Sequence, residues 1–118
     1  MTLADTSVWV DHLRRGNQRL AQSLLDGEVL CHPFVIGELS CGHLTKRAEI
    51  LSLLGTLPVL GVTHEDEVLR MVDNNRLYGR GLGWIDMHLL ASAVLARSSI
   101  WTLDRALAAA ARAMGVAA

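Results

Sequence analysis

Four short apolar runs, at residues 2–4, 29–31, 59–60 and 100–103, alternate with longer segments whose apolar residues recur every three to four positions. Two to four residues cannot make a helix, and the recurrence between them does not fit a strand. Strands separated by helices cannot return as hairpins. Each joins the next by a crossover, which builds a parallel sheet covered by helices. The expected fold is therefore α/β, with helices over residues 8–14, 19–25, 34–41, 48–54, 65–77, 85–96 and 105–114. Pro33 suits a first helical turn, and Thr63 with Asp66 three residues on has the spacing of a capping box.

The chain has 118 residues, two prolines and no run of Ser, Gly or like charges that could act as a linker, so a single domain, 1–118, is expected. At 51% hydrophobic and 19% charged it carries too much apolar side chain to be disordered. No apolar stretch approaches the roughly 20 residues of a membrane span, and Asp5 interrupts the start before a signal-like segment develops. A soluble protein is expected. Two cysteines, Cys31 and Cys41, are too few for a disulfide scaffold and fit reduced thiols in a cytoplasmic setting. The pairs Cys31-His32 and Cys41-His43 lack the spacing of a structural zinc site.

Four acids stand in unusual places. Asp5 follows the first apolar run and Asp104 the last, so each would sit at the carboxyl end of a strand, where open parallel sheets bind ligands. Capping the next helix is the alternative for both. Glu38 shares a helix face with Phe34, Val35, Leu39 and Gly42, which places a carboxylate in an apolar stripe. A buried pair with an arginine would be its structural explanation. Asp86 opens the most apolar helix, with Leu89, Leu90 and Ala93 on its side, and could instead serve the helix dipole.

Carboxylates that converge repel one another, and a divalent cation relieves the repulsion. All-oxygen ligation favours hard ions such as Mg²⁺ or Mn²⁺, and two could be held. The chemistry that suits such a site is metal-assisted phosphoryl transfer.

The segments Leu3-Ala4-Asp5-Thr6-Ser7-Val8-Trp9-Val10-Asp11-His12, Glu38-Leu39, Gly83-Trp84-Ile85-Asp86 and Thr102-Leu103-Asp104 together resemble a PIN-domain ribonuclease of the VapC toxin type. The likeness spans nearly the whole chain. It implies a three-layer α/β/α sandwich with a central, mostly parallel sheet, a Mg²⁺- or Mn²⁺-dependent endoribonuclease activity, and inhibition by a cognate VapB-type antitoxin. By position Asp5, Glu38, Asp86 and Asp104 match the family's acidic quartet, with Asp5 and Asp86 the direct metal ligands and Thr6 the supporting hydroxyl. After Asp104 the chain reads Arg105-Ala106-Leu107-Ala108 where family members often carry an aromatic residue.

The formal charge of −1 gives no global basic field. Setting the quartet aside leaves eleven basic residues against eight acids, and Arg14, Arg15 and Arg80, with Arg76, are candidates for RNA phosphate contacts. The glycine-rich segment 79–83 reads either as a lip beside Asp86 or as a plain helix connector. Abundant apolar residues, including Trp9, Trp84 and Trp101, suit a homodimer and an antitoxin groove. The competing function is a catalytically inactive PIN-like binding module that holds a structural ion or a partner's basic tail. An aspartyl phosphatase or receiver domain fits less well, since Asp5 has no second acid two residues on.

Overall fold

In the computed structural model, which describes residues 1–118, strand β1 (Thr2–Ala4) lies between two parallel neighbours. On one side is β2 (Val29–Leu30), with Leu3 opposite Leu30; on the other is β3 (Ser99–Trp101), with Ala4 opposite Trp101. One parallel bridge extends each edge: Cys31 to Val59 beyond β2, and Ile100 to Ala117 beyond β3. The run at 59–60 is thus a single rung instead of the expected strand. Pro58 offers no N–H and Gly61 follows at once, a pairing that belongs at a sheet edge. The run at 100–103 forms a strand only to Trp101, because Thr102 leaves the ladder to bond Asp5.

From β1 the chain steps outward to β2 and then Val59 through α1 (Thr6–Arg15), α2 (Gln18–Leu25), α3 (Pro33–Cys41) and α4 (Arg47–Leu54). It then crosses back to β3 and on to Ala117 through α5 (Glu65–Asn74), α6 (Trp84–Ala96) and α7 (Arg105–Ala113). Right-handed crossovers running in opposite directions put the two helix groups on opposite faces of the sheet. The packing agrees: α1 contacts α2 and α3, α3 contacts α4, and α2 lies on β2, while α6 lies on β3 beside α5 and α7. This is the expected α/β/α arrangement.

One cluster of 22 buried apolar residues fills both interlayer spaces, with Leu3, Val8, Leu20 and Val35 among its members on one side and Leu89, Leu90 and Leu107 on the other. Helix α6 is buried from Met87 to Ala93, which explains why its sequence is apolar all round. No helix is long and apolar enough to cross a membrane.

Helix ends differ from the sequence reading in two places. Helix α5 stops at Asn74 and not at Leu77: Arg76 turns left-handed (φ 51°), and the Leu77 N–H returns to the Val72 carbonyl at 3.0 Å. That closure drops Leu77 into the core, so its burial is met without extending the helix. The Thr63/Asp66 capping box does not form either. His64 is the residue before α5, with no side-chain cap, and the Thr63 hydroxyl is buried 3.3 Å from that of Ser92.

The Ser92 hydroxyl ties the layers together. His32 Nδ1 accepts the Phe34 N–H at 3.0 Å, which caps α3 and leaves the ring proton on Nε2. Nε2 donates to Ser92 Oγ at 3.0 Å, and Ser92 donates to the Gly61 carbonyl at 2.9 Å. Burial, helped by the charge of nearby His88, pulls the His32 pKa down to about 4.

Candidate active site

Strand β1 leads into α1 on one face of the sheet, and its neighbour β3 leads into α7 on the other. The chain therefore parts at the carboxyl ends of these two strands and opens a crevice there. Asp5 stands at the end of β1 and is only 5% exposed. Its Oδ2 accepts the Thr102 hydroxyl at 2.7 Å and the Ser7 hydroxyl at 2.8 Å, with the Ser7 N–H more distant at 3.4 Å. Helix capping is thus the lesser part of its role. All of these bonds fall on Oδ2, and Oδ1 receives none.

The same two hydroxyls accept from the β3–α7 connection: Leu103 N–H donates to Ser7 at 2.9 Å and Asp104 N–H to Thr102 at 3.0 Å. Asp5 is thereby stapled to the loop that carries Asp104. Asp104 is exposed and caps α7, its Oδ1 accepting the Ala106 N–H at 3.2 Å. Sequence reasoning missed Ser7 and Thr102. The available signal was a hydroxyl two residues after Asp5 and another directly after the apolar run that pairs with β1.

Asp86 is half-buried in the first turn of α6, where its Oδ2 accepts the Gly83 N–H at 2.9 Å. Burial lifts its carboxyl above the ordinary range; the Gly83 bond works the other way, and the charges of Asp5 and Asp104 add to the lift. Asp86 therefore feels acids from two other parts of the chain.

Glu38 departs from expectation. Val35 and Leu39 make the buried edge of α3, and Glu38, one position back from Leu39, points out and is exposed. No arginine pairs with it. Its Oε1 instead accepts the Thr6 hydroxyl at 2.7 Å, which places it beside Asp5 through the next residue in the chain. Thr6 is thus a supporting hydroxyl for Glu38 and not for Asp5.

Thr6 and Glu38 also line a cavity of about 450 Å³ between α1 and α3, together with Val10, Arg14, Leu39 and His43. Arg14 is exposed at this cavity. Arg15, about 100° further round α1, is instead held by Asp11, Nε to Oδ1 at 2.6 Å, the molecule's one ion pair. Arg80 is exposed in the loop before α6, whose Gly81 takes φ 82° and approaches Ala106 of α7. Segment 79–83 thus spans from α5 to the mouth of the crevice.

The profile of the PIN domain family matches residues 2–113. The chain belongs to the PIN-domain family. Two curated proteins called Ribonuclease VapC32, from Mycobacterium tuberculosis strains CDC 1551 / Oshkosh and ATCC 25618 / H37Rv, are each 48% identical to it over 118 residues. The match covers 99% of this chain and 95% of each relative, and this PIN domain is of the VapC type. The crystal structure of PAE2754 from Pyrobaculum aerophilum aligns with a TM-score of 0.69 at 19% identity, over 99% of this chain and 87% of that one. At that identity the likeness bears on the fold alone.

The PIN domain's crevice offers carboxylate and hydroxyl oxygens, a donor set for hard divalent ions. No three of its Asp, Glu, His and Cys side chains close into a preformed cage. Its acids form an open wall, with the unbonded Oδ1 of Asp5 as the oriented donor.

Proposed function

We propose that this PIN domain is a Mg²⁺- or Mn²⁺-dependent endoribonuclease toxin, neutralised by a cognate VapB-type antitoxin. The observation that carries the reading is the presentation of Asp5: buried at the strand switch, fixed through Oδ2 by two hydroxyls, with Oδ1 free of hydrogen bonds and Asp86 near enough to feel its charge. A carboxylate oxygen held in one orientation and left free of hydrogen bonds is a donor for a hard divalent ion. The name of the 48% identical relatives supports RNA as the substrate.

Asp5 and Asp86 are the direct ligands, with Glu38 and Asp104 completing the acidic set. A bound divalent ion lowers the pKa of a water and offsets charge at phosphorus. Ser7 and Thr102 keep Asp5 from rotating, and Thr6 holds Glu38 at the same mouth. Hydrolysis breaks the P–O3′ bond: the water oxygen stays on phosphorus to give a 5′-phosphate, and O3′ takes a proton to give a 3′-hydroxyl. Arg14 and Arg80, exposed on either side, contact the flanking phosphates.

An apolar cleft of about 320 Å³, lined by Trp9, Leu13, Leu24, Ile50, Leu53 and Leu57, suits an apolar antitoxin segment. The purified chain with Mg²⁺ or Mn²⁺ is expected to cut RNA, and Asp5→Asn to lose that cutting. Full activity in Asp5→Asn would remove Asp5 from the mechanism. Metal-independent cutting by the wild type would end the metal assignment.

A further inference from the structure

The mouth of the crevice holds charged groups that do not read the position of a strand along its length. Asp5, Asp86 and Asp104 lie together there, and the cation and arginines that offset their charge attract every phosphate alike, so they do not set which nucleotide lies over the acids. An uncharged contact to a base beside that mouth does set it. Stacking of nucleobases on exposed aromatic rings is such a contact, and it is the usual means by which unpaired strands are held.

One exposed ring neighbours this mouth, in the same first turn of α6 as Asp86 but about 200° round it, on the face of His88. Trp84 is the first residue of α6, between Gly83, whose N–H holds the Asp86 carboxylate, and Asp86 itself two positions on. It is 43% exposed, although it opens the most deeply buried helix of the protein. Its indole is nevertheless fixed. It meets the ring of His88 one turn later at 4.8 Å and 89°, His88 meets Phe34 at 4.8 Å and 71°, and Phe34 meets His32 at 5.2 Å and 63°. His88 and His32 are 2% and 0% exposed, so this chain of rings anchors Trp84 in the core. A T-shaped contact covers at most one side of an indole, and the other remains open. A rigid, half-open aromatic ring loses little conformational entropy when a base settles on it.

We propose that Trp84 stacks a nucleobase of single-stranded RNA next to the scissile phosphate, and so sets the strand's register over Asp86. This inference rests on the ribonuclease reading. It makes Trp84 a base-stacking residue that distinguishes an unpaired base from a paired one or from a bare sugar-phosphate.

The test is a double-mutant cycle between protein and RNA. A single abasic nucleotide is walked through an oligonucleotide that the wild-type chain cleaves in Mn²⁺, and kcat/KM is measured for wild type, Trp84→Leu and Trp84→Phe. On intact RNA, Trp84→Leu is expected to lose about tenfold to a hundredfold, and Trp84→Phe to keep most of the rate. At one position beside the cut, the abasic substitution should cost the wild type a similar factor and Trp84→Leu nothing further. Independent losses at every position, or an unimpaired Trp84→Leu, would overturn the stacking and leave the ribonuclease reading standing. A wild-type chain that cuts no RNA would end both. A second measurement stays informative even if Trp84→Leu does not fold. In the Trp9→Phe, Trp101→Phe, Asp5→Asn chain, Trp84 is the lone indole, and the uncut oligonucleotide should quench its emission. Absence of quenching, or quenching by the antitoxin alone, would refute the assignment.

Discussion

At the scale of single residues, the arrangement turns on which oxygen of Asp5 is engaged. Thr102 gives its proton to Oδ2 and takes one from the Asp104 N–H, so a single hydroxyl aligns two acids. Thr102→Val keeps the shape and removes both bonds. We expect roughly tenfold lower kcat and about 1 kcal/mol less stability, with Thr102→Ser restoring both. Rates measured beside thermal melts check this, and an unchanged kcat would show that Asp5 needs no such support. Asp86 tells the opposite story. Its carboxyl is strained by burial and by the neighbouring acids, so Asp86→Asn should raise the melting temperature of the metal-free protein by a few degrees while abolishing cleavage. Saturating Mn²⁺ should erase that advantage by stabilising only the wild type. The strand-end placement of Asp5 and Asp104 and the first-turn place of Asp86 in an apolar helix were legible in the sequence as patterns. The exposure of Glu38 was not, since a shift of one residue moves a side chain by about 100° on a helix and the pattern fixes the face no better than that.

Among the elements, α3 is the one whose start depends on pH. Its cap is the neutral ring of His32, and folding holds that ring's pKa at about 4 against an ordinary 6.5. The unfolded chain therefore binds the extra proton first. The contribution to stability is complete above pH 6.5, declines as the pH falls through the interval to 4, and amounts to about 3 kcal/mol at most. Denaturant melts of wild type and His32→Asn between pH 7 and 4 should show a steeper acid loss for the wild type. Parallel curves would mean that the ring is not held neutral. The boundaries of α2, α3 and α6 were readable to within a residue or two from periodicity and from Pro33. The end of α5 was not, because Arg76 adopts a left-handed backbone that its residue type does not advertise. The rung at Ala117 was equally invisible: Val-Ala-Ala carries no strand signature, and only its hydrogen bonds to Ile100 make it part of the sheet.

For the molecule as a whole, the parallel architecture followed from alternation alone, whereas surface partnerships did not. Leu25, Leu95 and Leu53 are 83%, 64% and 58% exposed, apolar side chains that a partner would cover. We expect a homodimer, and light scattering behind a sizing column should report twice the 12.8 kDa of one chain. A single-chain mass at micromolar concentration would leave those leucines to the antitoxin.

The staple between Asp5 and Thr102 joins positions separated by 97 residues of sequence. A ribosome delivers Asp5 well before Thr102, so a nascent copy pairs β1 with β2 while the other side of β1, and the crevice beside it, still wait for β3. A chain that stops before β3 is expected to leave Asp5 without the Thr102 hydroxyl and the sheet without one of its three strands.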